Sequence, residues 1–236
     1  MTLDDPEVVR REYATEHGLL ARRAAYEHAT GPDVLEMLFD AIAEAAPRTY
    51  LEVGCGPGEL AARVSEELAA DVVAIDIAPR MVELACARGV NARLGDVQEL
   101  PFEDGTFDCA VAAWMLFHVP DVPRALSQLA RVLRPGGRLV AVTNDDDHLK
   151  ELRELLGLPA RRASTFDGGN AEELLRPHFA HVETRPARGR VTFPDREAVL
   201  AYVCASAAML EDRTDVPAFD GPFIATRCPV IFVATR

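Results

Sequence analysis

The stretch from Tyr50 to Leu68 constrains the fold more than any other part of the chain. Residues 50–53 form a short, mostly apolar run that predicts a buried strand, and glycines follow at three alternate positions, Gly54, Gly56 and Gly58. From Glu59 onward, apolar residues recur at helical spacing. A strand, a glycine turn and a helix in this order are typical of the nucleotide-binding corner of an open α/β sheet. Glycine at such a turn lets the backbone approach a ligand closely.

The residues around these glycines exclude two well-known phosphate-binding loops. A P-loop ends in Gly-Lys-Ser/Thr, and the dinucleotide fingerprint has a further glycine where this chain has Glu59. The pattern is instead acidic-x-Gly-x-Gly-x-Gly, beginning at Glu52. A carboxylate beside a loop without a cation predicts an adenosine ligand that bears an ammonium and a sulfonium group. The alternative is a tight turn that binds nothing.

Two further acidic residues follow predicted strands. Asp76 ends the apolar run 72–75, where a carboxylate can accept hydrogen bonds from ribose hydroxyls, and Ile77 is placed to pack on an adenine ring. Asp76 could instead cap the next helix. Asp96 follows the short run 92–94 and could accept from an adenine amino group, or serve only as a turn residue.

With these motifs in order, the chain resembles the class I S-adenosylmethionine-dependent methyltransferases, in the small-molecule branch called type 11. The resemblance covers residues 47–143 and rests on residues 51–58, Asp76, Gly95-Asp96, the block from Phe107 to Asp121 and residues 133–139. It implies S-adenosyl-L-methionine as cofactor, with Gly54 and Gly56 on its methionine part, Asp76 on the ribose, and Asp96 with Val97 at the adenine. The full set that we assign to the cofactor site is Glu52, Gly54, Cys55, Gly56, Gly58, Asp76, Ile77, Asp96, Val97, Ala113, Tyr13 and Arg23.

Strands and helices alternate along the chain. Alternation of this kind predicts a Rossmann-like α/β fold with an open, mostly parallel sheet and helices on both faces. The resemblance implies seven strands, the last antiparallel, in a single domain over residues 1–236: a helical lid (1–46), a cofactor-binding core (47–156) and a substrate-side insert with the last strands (157–236). The predicted strands lie near 49–53, 72–75, 92–94, 107–113, 138–143, 181–186 and 230–235, and the helices near 58–69, 79–88, 122–133, 149–156 and 197–209. The last strand is expected to start after Pro229, which cannot donate to a ladder.

His118 is the candidate catalytic base. It lies a few residues beyond the fourth predicted strand, at the sheet edge where ligands collect, and a base that removes the proton of a hydroxyl or amine acceptor accelerates methyl transfer. A structural role for His118 in the following loop is equally consistent with the sequence. Trp114 and Met115, in the same loop, are expected to shape the substrate pocket.

The segment before residue 47 could close over the cofactor. Tyr13, His17, Arg23 and Tyr26 recur at helical spacing, so an aromatic ring, a histidine and a cation would share one side. Arg22 or Arg23 could hold the cofactor carboxylate, and Arg23 shares a face with Tyr26. An ordinary amphipathic helix at the sheet edge is the alternative.

Two more regions are candidates for substrate contacts. Residues 144–148 (Asn-Asp-Asp-Asp-His) directly follow the fifth strand, so Asn144 and His148 could contact substrate; the aspartates could hold a cationic substrate or a metal, or form a solvated turn. We assign no metal. Tyr202 lies on a predicted helix that is expected to form a substrate roof or a dimer surface.

The composition limits the classes of partner that the protein is expected to bind. The net charge of −13 and arginine clusters no larger than pairs disfavour a nucleic-acid surface, so a small-molecule acceptor is expected. The five cysteines lack paired metal spacing and indicate free thiols. No apolar run reaches membrane-spanning length and no leader precedes the first helix, which predicts a cytoplasmic protein without membrane contact. A homodimer is possible.

The sequence therefore predicts an S-adenosylmethionine-dependent methyltransferase that acts on oxygen or nitrogen of a small metabolite. Bacterial secondary metabolism is the expected setting, from the resemblance and from Lys150 being the sole lysine beside many arginines. The alternatives are an RNA or protein methyltransferase, a non-catalytic adenosylmethionine-binding regulator and, more remotely, a nicotinamide oxidoreductase.

Overall fold

Helices and strands alternate through the computed structural model, which describes residues 4–27, 29–159, 164–206 and 216–236. The helices are α1 (Pro6–Glu12), α2 (His17–Ala24), α3 (Val34–Ala43), α4 (Glu59–Leu68), α5 (Pro79–Ala87), α6 (Val122–Val132), α7 (Lys150–Leu155), α8 (Ala171–Leu175) and α9 (Arg196–Cys204). The strands are β1 (Thr49–Val53), β2 (Asp71–Asp76), β3 (Ala92–Leu94), β4 (Phe107–Ala113), β5 (Leu133–Asn144), β6 (His181–Pro186), β7 (Gly189–Phe193), β8 (Phe223–Arg227) and β9 (Pro229–Thr235).

Seven strands form one sheet in the order β3-β2-β1-β4-β5-β9-β6. Strands β1 to β5 pair in parallel, whereas β9 runs antiparallel between β5 and β6. The order reverses between β1 and β4, and in open sheets of this type ligands bind beyond the carboxyl ends of the strands at such a point. The predicted fold class is confirmed.

Both faces of the sheet are covered, and its central strands are accordingly mostly apolar. Side chains alternate across β1, so that Tyr50 packs with α3 and α4 on one face and Leu51 packs with α6 on the other. Helix α6 places Val122, Ala125, Leu126, Leu129 and Val132 in the core, which is the stripe that its spacing predicts.

Two strand boundaries differ from the predicted ones. β5 begins at Leu133, because Leu133 pairs with Phe107 before the ladder shifts register and resumes at Arg138. β9 begins at Pro229 rather than after it. Pro229 has no backbone N–H to donate, but its carbonyl accepts the backbone N–H of Ala187 at 2.9 Å and so still contributes to the sheet.

The segment predicted as a helical lid divides into two parts. Helix α3 is not part of a lid: Leu38 and Ile42 are buried against Tyr50 and Val140 on the sheet, so it belongs to the core. Its start is capped by Asp33, whose carboxylate accepts from the N–H groups of Leu35 and Glu36. Only α1 and α2 lie at the carboxyl edge of the sheet.

A small roof stands over the same edge. Strands β7 and β8 pair antiparallel, and α7 and α9 pack on them around Phe193, Val199 and Val203. The two strands were not predicted, because each is short and its partner lies far away along the chain. Helix α9 ends at Cys204, and residues 207–209 of the predicted helix lie outside the described residues.

Candidate active site

The glycine loop joins β1 to α4 and has three positive φ angles, +65° at Gly54, +53° at Gly56 and +79° at Gly58. A Cβ at Gly54 or Gly58 would lie 2.7 Å from a neighbouring side chain, of Met115 or Ala85. A Cβ at Gly56 would meet nothing within 4 Å. Gly54 and Gly58 therefore allow close packing of the loop, whereas Gly56 exposes its backbone to open space.

Asp76 braces this loop from the end of β2. One carboxylate oxygen accepts from the Gly56 N–H at 2.9 Å and the other from the Ala78 N–H at 2.8 Å, at the start of α5. Burial raises the pKa of Asp76. Asp76 therefore caps the helix and holds the glycine loop, with the Ile77 N–H as a further backbone donor; its contact with a ribose stays a prediction.

Glu52 lies buried beneath the glycine loop, 4% exposed. It accepts a hydrogen bond from the Tyr50 hydroxyl at 3.2 Å, and burial raises its pKa to about 8. A cation placed beside this carboxyl group would stabilise its ionised form, so the site favours a ligand with a positively charged group. Cys55 is also buried, and burial raises the pKa of its thiol well above the ordinary range, so it is a small packing residue rather than a nucleophile.

The residues predicted for the adenine lie beside β2 and β3. Asp96 accepts from the backbone N–H of Gln98 at 2.8 Å and from its side-chain amide, as a turn aspartate does. Val97 is buried, while Ile77, directly after β2, and Ala113, the last residue of β4, are half-buried. We call this set, with Glu52, Gly54–Gly58 and Asp76, the glycine-loop half of the site.

The glycine-loop half fits an adenosine sulfonium compound in its donor set. The open space at Gly56 is a cradle that a Cβ would fill. Glu52 and Asp76 supply carboxylates for an ammonium group and for hydroxyls, and the loop offers no cation for a phosphate.

His118 lies beyond β4, in a 3-10 turn (Leu116–His118). Its Nε2 is 3.2 Å from the hydroxyl of Tyr13, which reaches it from the end of α1. Arg22 donates to the same hydroxyl at 3.3 Å. Burial raises the pKa of Tyr13 to about 12, so its hydroxyl stays protonated near neutrality. The hydrogen of Tyr13 is then directed to Nε2, because its oxygen already accepts from Arg22.

A second tyrosine–histidine contact lies beyond β5. The Tyr26 hydroxyl is 3.1 Å from Nε2 of His148 and 3.3 Å from the hydroxyl of Tyr202 on α9. Nδ1 of His148 accepts the backbone N–H of Cys228 at 3.0 Å, and burial lowers the pKa of the imidazole to about 4. His148 is therefore neutral and donates through Nε2 to Tyr26. We call Tyr13, Arg22, Tyr26, His118, His148 and Tyr202 the tyrosine–histidine half.

Three other predicted substrate residues lie at the carboxyl ends of β4 and β5. The indole N–H of Trp114 donates to Asn144 at 3.4 Å, which joins the ends of β4 and β5. Trp114 has a φ of +52°, a conformation uncommon for a bulky residue and often found at functional sites. Met115 packs against Gly54.

Two residues predicted from the N-terminal helices lie elsewhere. His17 is exposed at the start of α2, and Arg23 forms an ion pair with Glu59 at the start of α4. It is Arg22 that contacts Tyr13 and also donates to the Ala205 carbonyl. Helical spacing groups Arg23, not Arg22, with Tyr13 and Tyr26, and only the partners of the two arginines tell which cation turns inward.

The acidic run 145–147 forms a turn. Asp145 accepts from the Asp146 N–H, and Asp147 lies near Lys150 and Arg188. Within the described ranges, no three His, Cys, Asp or Glu side chains gather as a metal site would require. Nor does any helix described here have the length and apolar character needed to cross a bilayer.

Comparison with known proteins bears chiefly on the glycine-loop half. A family model described as a methyltransferase domain matches residues 51–141, from the glycine loop to β5. An uncharacterized methyltransferase of Mycobacterium bovis is 37% identical over 139 residues, which are 56% of each chain. A demethylmenaquinone methyltransferase of Thermus thermophilus is 40% identical over 110 residues, 44% of this chain and 50% of the relative. This chain thus spans about half the length of these curated relatives.

Solved structures share the fold. The YcgJ protein of Bacillus subtilis is 18% identical, with a TM-score of 0.58 over 85% of this chain and 98% of that one. Phosphoethanolamine N-methyltransferase 2 of Haemonchus contortus, solved with S-adenosyl-L-methionine, is 17% identical, with a TM-score of 0.66 over 100% of this chain and 60% of that one. A methyltransferase-domain model thus matches the segment that holds the glycine loop, and the chain shares its fold with a solved methyltransferase.

Proposed function

We propose that this protein transfers a methyl group from S-adenosyl-L-methionine to an oxygen or nitrogen atom of a small metabolite. The observation that carries the proposal is the meeting of the two halves at one sheet edge: the open glycine loop with its buried carboxylates, and a tyrosine–histidine contact beyond β4. A turn that merely connected β1 to α4 would need neither the cradle at Gly56 nor a carboxyl group buried below it.

The cofactor would lie against the backbone at Gly56. Glu52 would face its ammonium group, Asp76 its ribose hydroxyls, and Asp96 with Val97 its adenine. When bound, S-adenosyl-L-methionine supplies a methyl group on a positively charged sulfur, which an acceptor atom can take by direct displacement. The protein then contributes chiefly by holding the acceptor in line.

Tyr13 and His118 would carry the acceptor's proton away. An acceptor hydroxyl or amine that donates to the Tyr13 oxygen could lose its proton to that oxygen while the Tyr13 hydrogen passes to Nε2 of His118, 3.2 Å away. Neither Tyr13 nor His118 has to gain or lose a proton before this step, because Tyr13 begins and ends it as a neutral phenol. Proton removal of this kind is worth on the order of 100-fold to 10,000-fold in rate.

The choice of a small metabolite is supported by the acceptor that one relative's name prints, demethylmenaquinone. Helix α2 contacts the end of the roof helix α9 over the tyrosine–histidine half, through Arg22 and the Ala205 carbonyl. Matches also include an O-methyltransferase of Penicillium expansum and a methyltransferase of Streptomyces halstedii. We place the reaction in bacterial secondary metabolism on the same basis.

Calorimetric titration separates this proposal from its alternatives. S-adenosylhomocysteine is expected to bind and NADH is not; binding of NADH alone would reject the proposal. Incubation with S-adenosylmethionine and pools of phenols, alcohols and amines should then release S-adenosylhomocysteine. Tight binding without turnover on any acceptor would indicate a regulator, and transfer to RNA or to peptides would move the protein to another substrate class.

A further inference from the structure

An ion pair joins α1 to α2 beside the Tyr13–His118 contact. Oε1 of Glu12 accepts from Nη1 of Arg22 at 2.5 Å, and the two side chains are only 13% and 17% exposed. Arg22 also donates to the Ala205 carbonyl through Nη1 and to the Tyr13 hydroxyl through Nη2. Arg22 therefore brings a positive charge into the tyrosine–histidine half, and Glu12 cancels it where water screens weakly.

Other arginines around this edge of the sheet are engaged as well. Arg23 pairs with Glu59 and Arg80 with Glu16, and both carboxylates stand at the start of a helix. Arg188 pairs with Asp147 in the acidic turn after β5. Arg227 donates to the backbone carbonyls of Thr30 and Pro32. None of these four is left to bind an anionic ligand.

Glu12 has a second carboxylate oxygen, Oε2, which is buried and has no hydrogen-bond partner among the residues that the structure describes. A buried oxygen without a partner costs about 1–3 kcal/mol, and native proteins keep few of them. Because a carboxylate only accepts, the partner that would satisfy Oε2 must be a donor.

We propose that Glu12 sets the charge selectivity of the acceptor site. It cancels Arg22 and offers Oε2 to a hydrogen-bond donor on the methyl acceptor, an inference that rests on the proposed function. The acceptor then belongs to the class of uncharged molecules that carry a hydroxyl or N–H donor. Phosphorylated and carboxylated molecules are disfavoured, because they would meet the Glu12 carboxylate while the nearby guanidinium of Arg22 is already paired with it.

The test uses two probes of similar size and opposite chemistry. Catechol has two donors and no charge, whereas phenyl phosphate is an anion. Each is titrated by calorimetry into the full chain, with and without S-adenosylhomocysteine. The variants are Glu12→Gln, which keeps the shape but removes the charge, and Glu7→Gln, a matched control on the exposed side of the same helix.

In the wild type and in Glu7→Gln, catechol is expected to bind at least about tenfold more tightly than phenyl phosphate. In Glu12→Gln the order should reverse, and the added change Arg22→Gln should abolish the gain for phenyl phosphate. An unchanged order in Glu12→Gln, or the same reversal in Glu7→Gln, would overturn the proposal.

Two further readouts keep the test decisive. If Glu12→Gln does not fold, as judged by circular dichroism, the wild-type order alone decides, and tighter binding of phenyl phosphate rejects the inference. Failure of S-adenosylhomocysteine to bind would reject the proposed function only, because the titrations without it still report on Glu12.

Discussion

The glycine-loop half and the tyrosine–histidine half of the site differ in how far apart along the chain their contacting residues lie. Gly56 and Asp76, which hold the loop, are 20 residues apart. Tyr13 and His118 are separated by 105 residues, Tyr26 and His148 by 122, and Arg22 and Ala205 by 183.

This difference separates a local motif from an assembled surface. The first half needs only neighbouring parallel strands, β3, β2, β1 and β4, and the turns after them. The second half exists only when α1, α2 and α9 dock on the sheet. We therefore expect the first half to determine the shared cofactor and the second to determine the acceptor.

The largest expected effect comes from two substitutions in the glycine loop. Gly58→Ala forces a Cβ to within 2.7 Å of Ala85 at a φ of +79°, which should destabilise the fold by roughly 2–4 kcal/mol. Gly56→Ala meets only the backbone penalty, about 1–2 kcal/mol, but fills the cradle. Urea unfolding measures the first effect and calorimetry with S-adenosylhomocysteine the second. Undiminished binding by Gly56→Ala would show that the open space is not the ligand's.

Substitutions in the tyrosine–histidine half should lower turnover and leave the affinity for the cofactor unchanged. His118→Ala is expected to lower kcat about 100-fold, and Tyr13→Phe by a smaller factor, because either change interrupts proton removal. Affinity for S-adenosylhomocysteine should remain near that of the wild type. The exposed His181→Ala provides the control. Full activity of His118→Ala would assign His118 to the scaffold and leave the base elsewhere.

Asp76 lies in the local half, and its loss should appear in cofactor affinity. Asp76→Ala is expected to weaken S-adenosylhomocysteine binding by roughly 1.5–3 kcal/mol, the worth of charge-assisted hydrogen bonds. Asp71→Ala, at the exposed opposite end of the same strand, is the control. Equal affinities of the two variants would remove the ribose role and leave only the helix cap.

Glu52 makes the stability of the ligand-free protein depend on pH in one direction. Its pKa is raised by burial to about 8, so the folded state holds the proton more strongly than the unfolded chain. Its contribution is complete below the unfolded pKa and is lost as the pH rises through 8, at a slope of up to roughly 1.4 kcal/mol per pH unit. Glu52→Gln should flatten this slope in unfolding experiments. S-adenosylhomocysteine should release a proton from the wild type on binding, which calorimetry in buffers of different ionisation enthalpy detects.

His148 should give the opposite and smallest dependence. Burial lowers its pKa to about 4, so its stabilising contribution is present above the ordinary histidine pKa and is lost as the pH falls through 4. Protonation of Nδ1 would oppose the Cys228 N–H and loosen the Tyr26 contact. Hydrogen exchange of the Cys228 amide should therefore accelerate in acid, and the acceleration should be absent in His148→Asn. Uniform exchange across the whole sheet would instead indicate global unfolding.

The sequence predicted the sheet well, because its signals are local. Short runs that end at glycine or aspartate mark β1, β2 and β3, and the 3.6-residue stripe marks α6. Prediction from the sequence failed where an element depends on a distant partner. Helix α3 was predicted to be part of a lid, although its apolar face packs on β1 and β5. Strands β7 and β8 were not predicted. Arg23 was preferred over Arg22 because helical spacing alone does not say which face meets α9.

By itself, the sequence determined the open α/β sheet, the glycine loop and the identities of the carboxylates beneath it, because strand, turn and helix patterns follow from neighbouring residues. Only the tertiary structure decided that Tyr13 meets His118, that Tyr26 meets His148 and that Glu12 cancels Arg22. The physical reason is that these hydrogen bonds join residues far apart in the chain, and their geometry is fixed by how the N-terminal helices and the roof pack on the sheet.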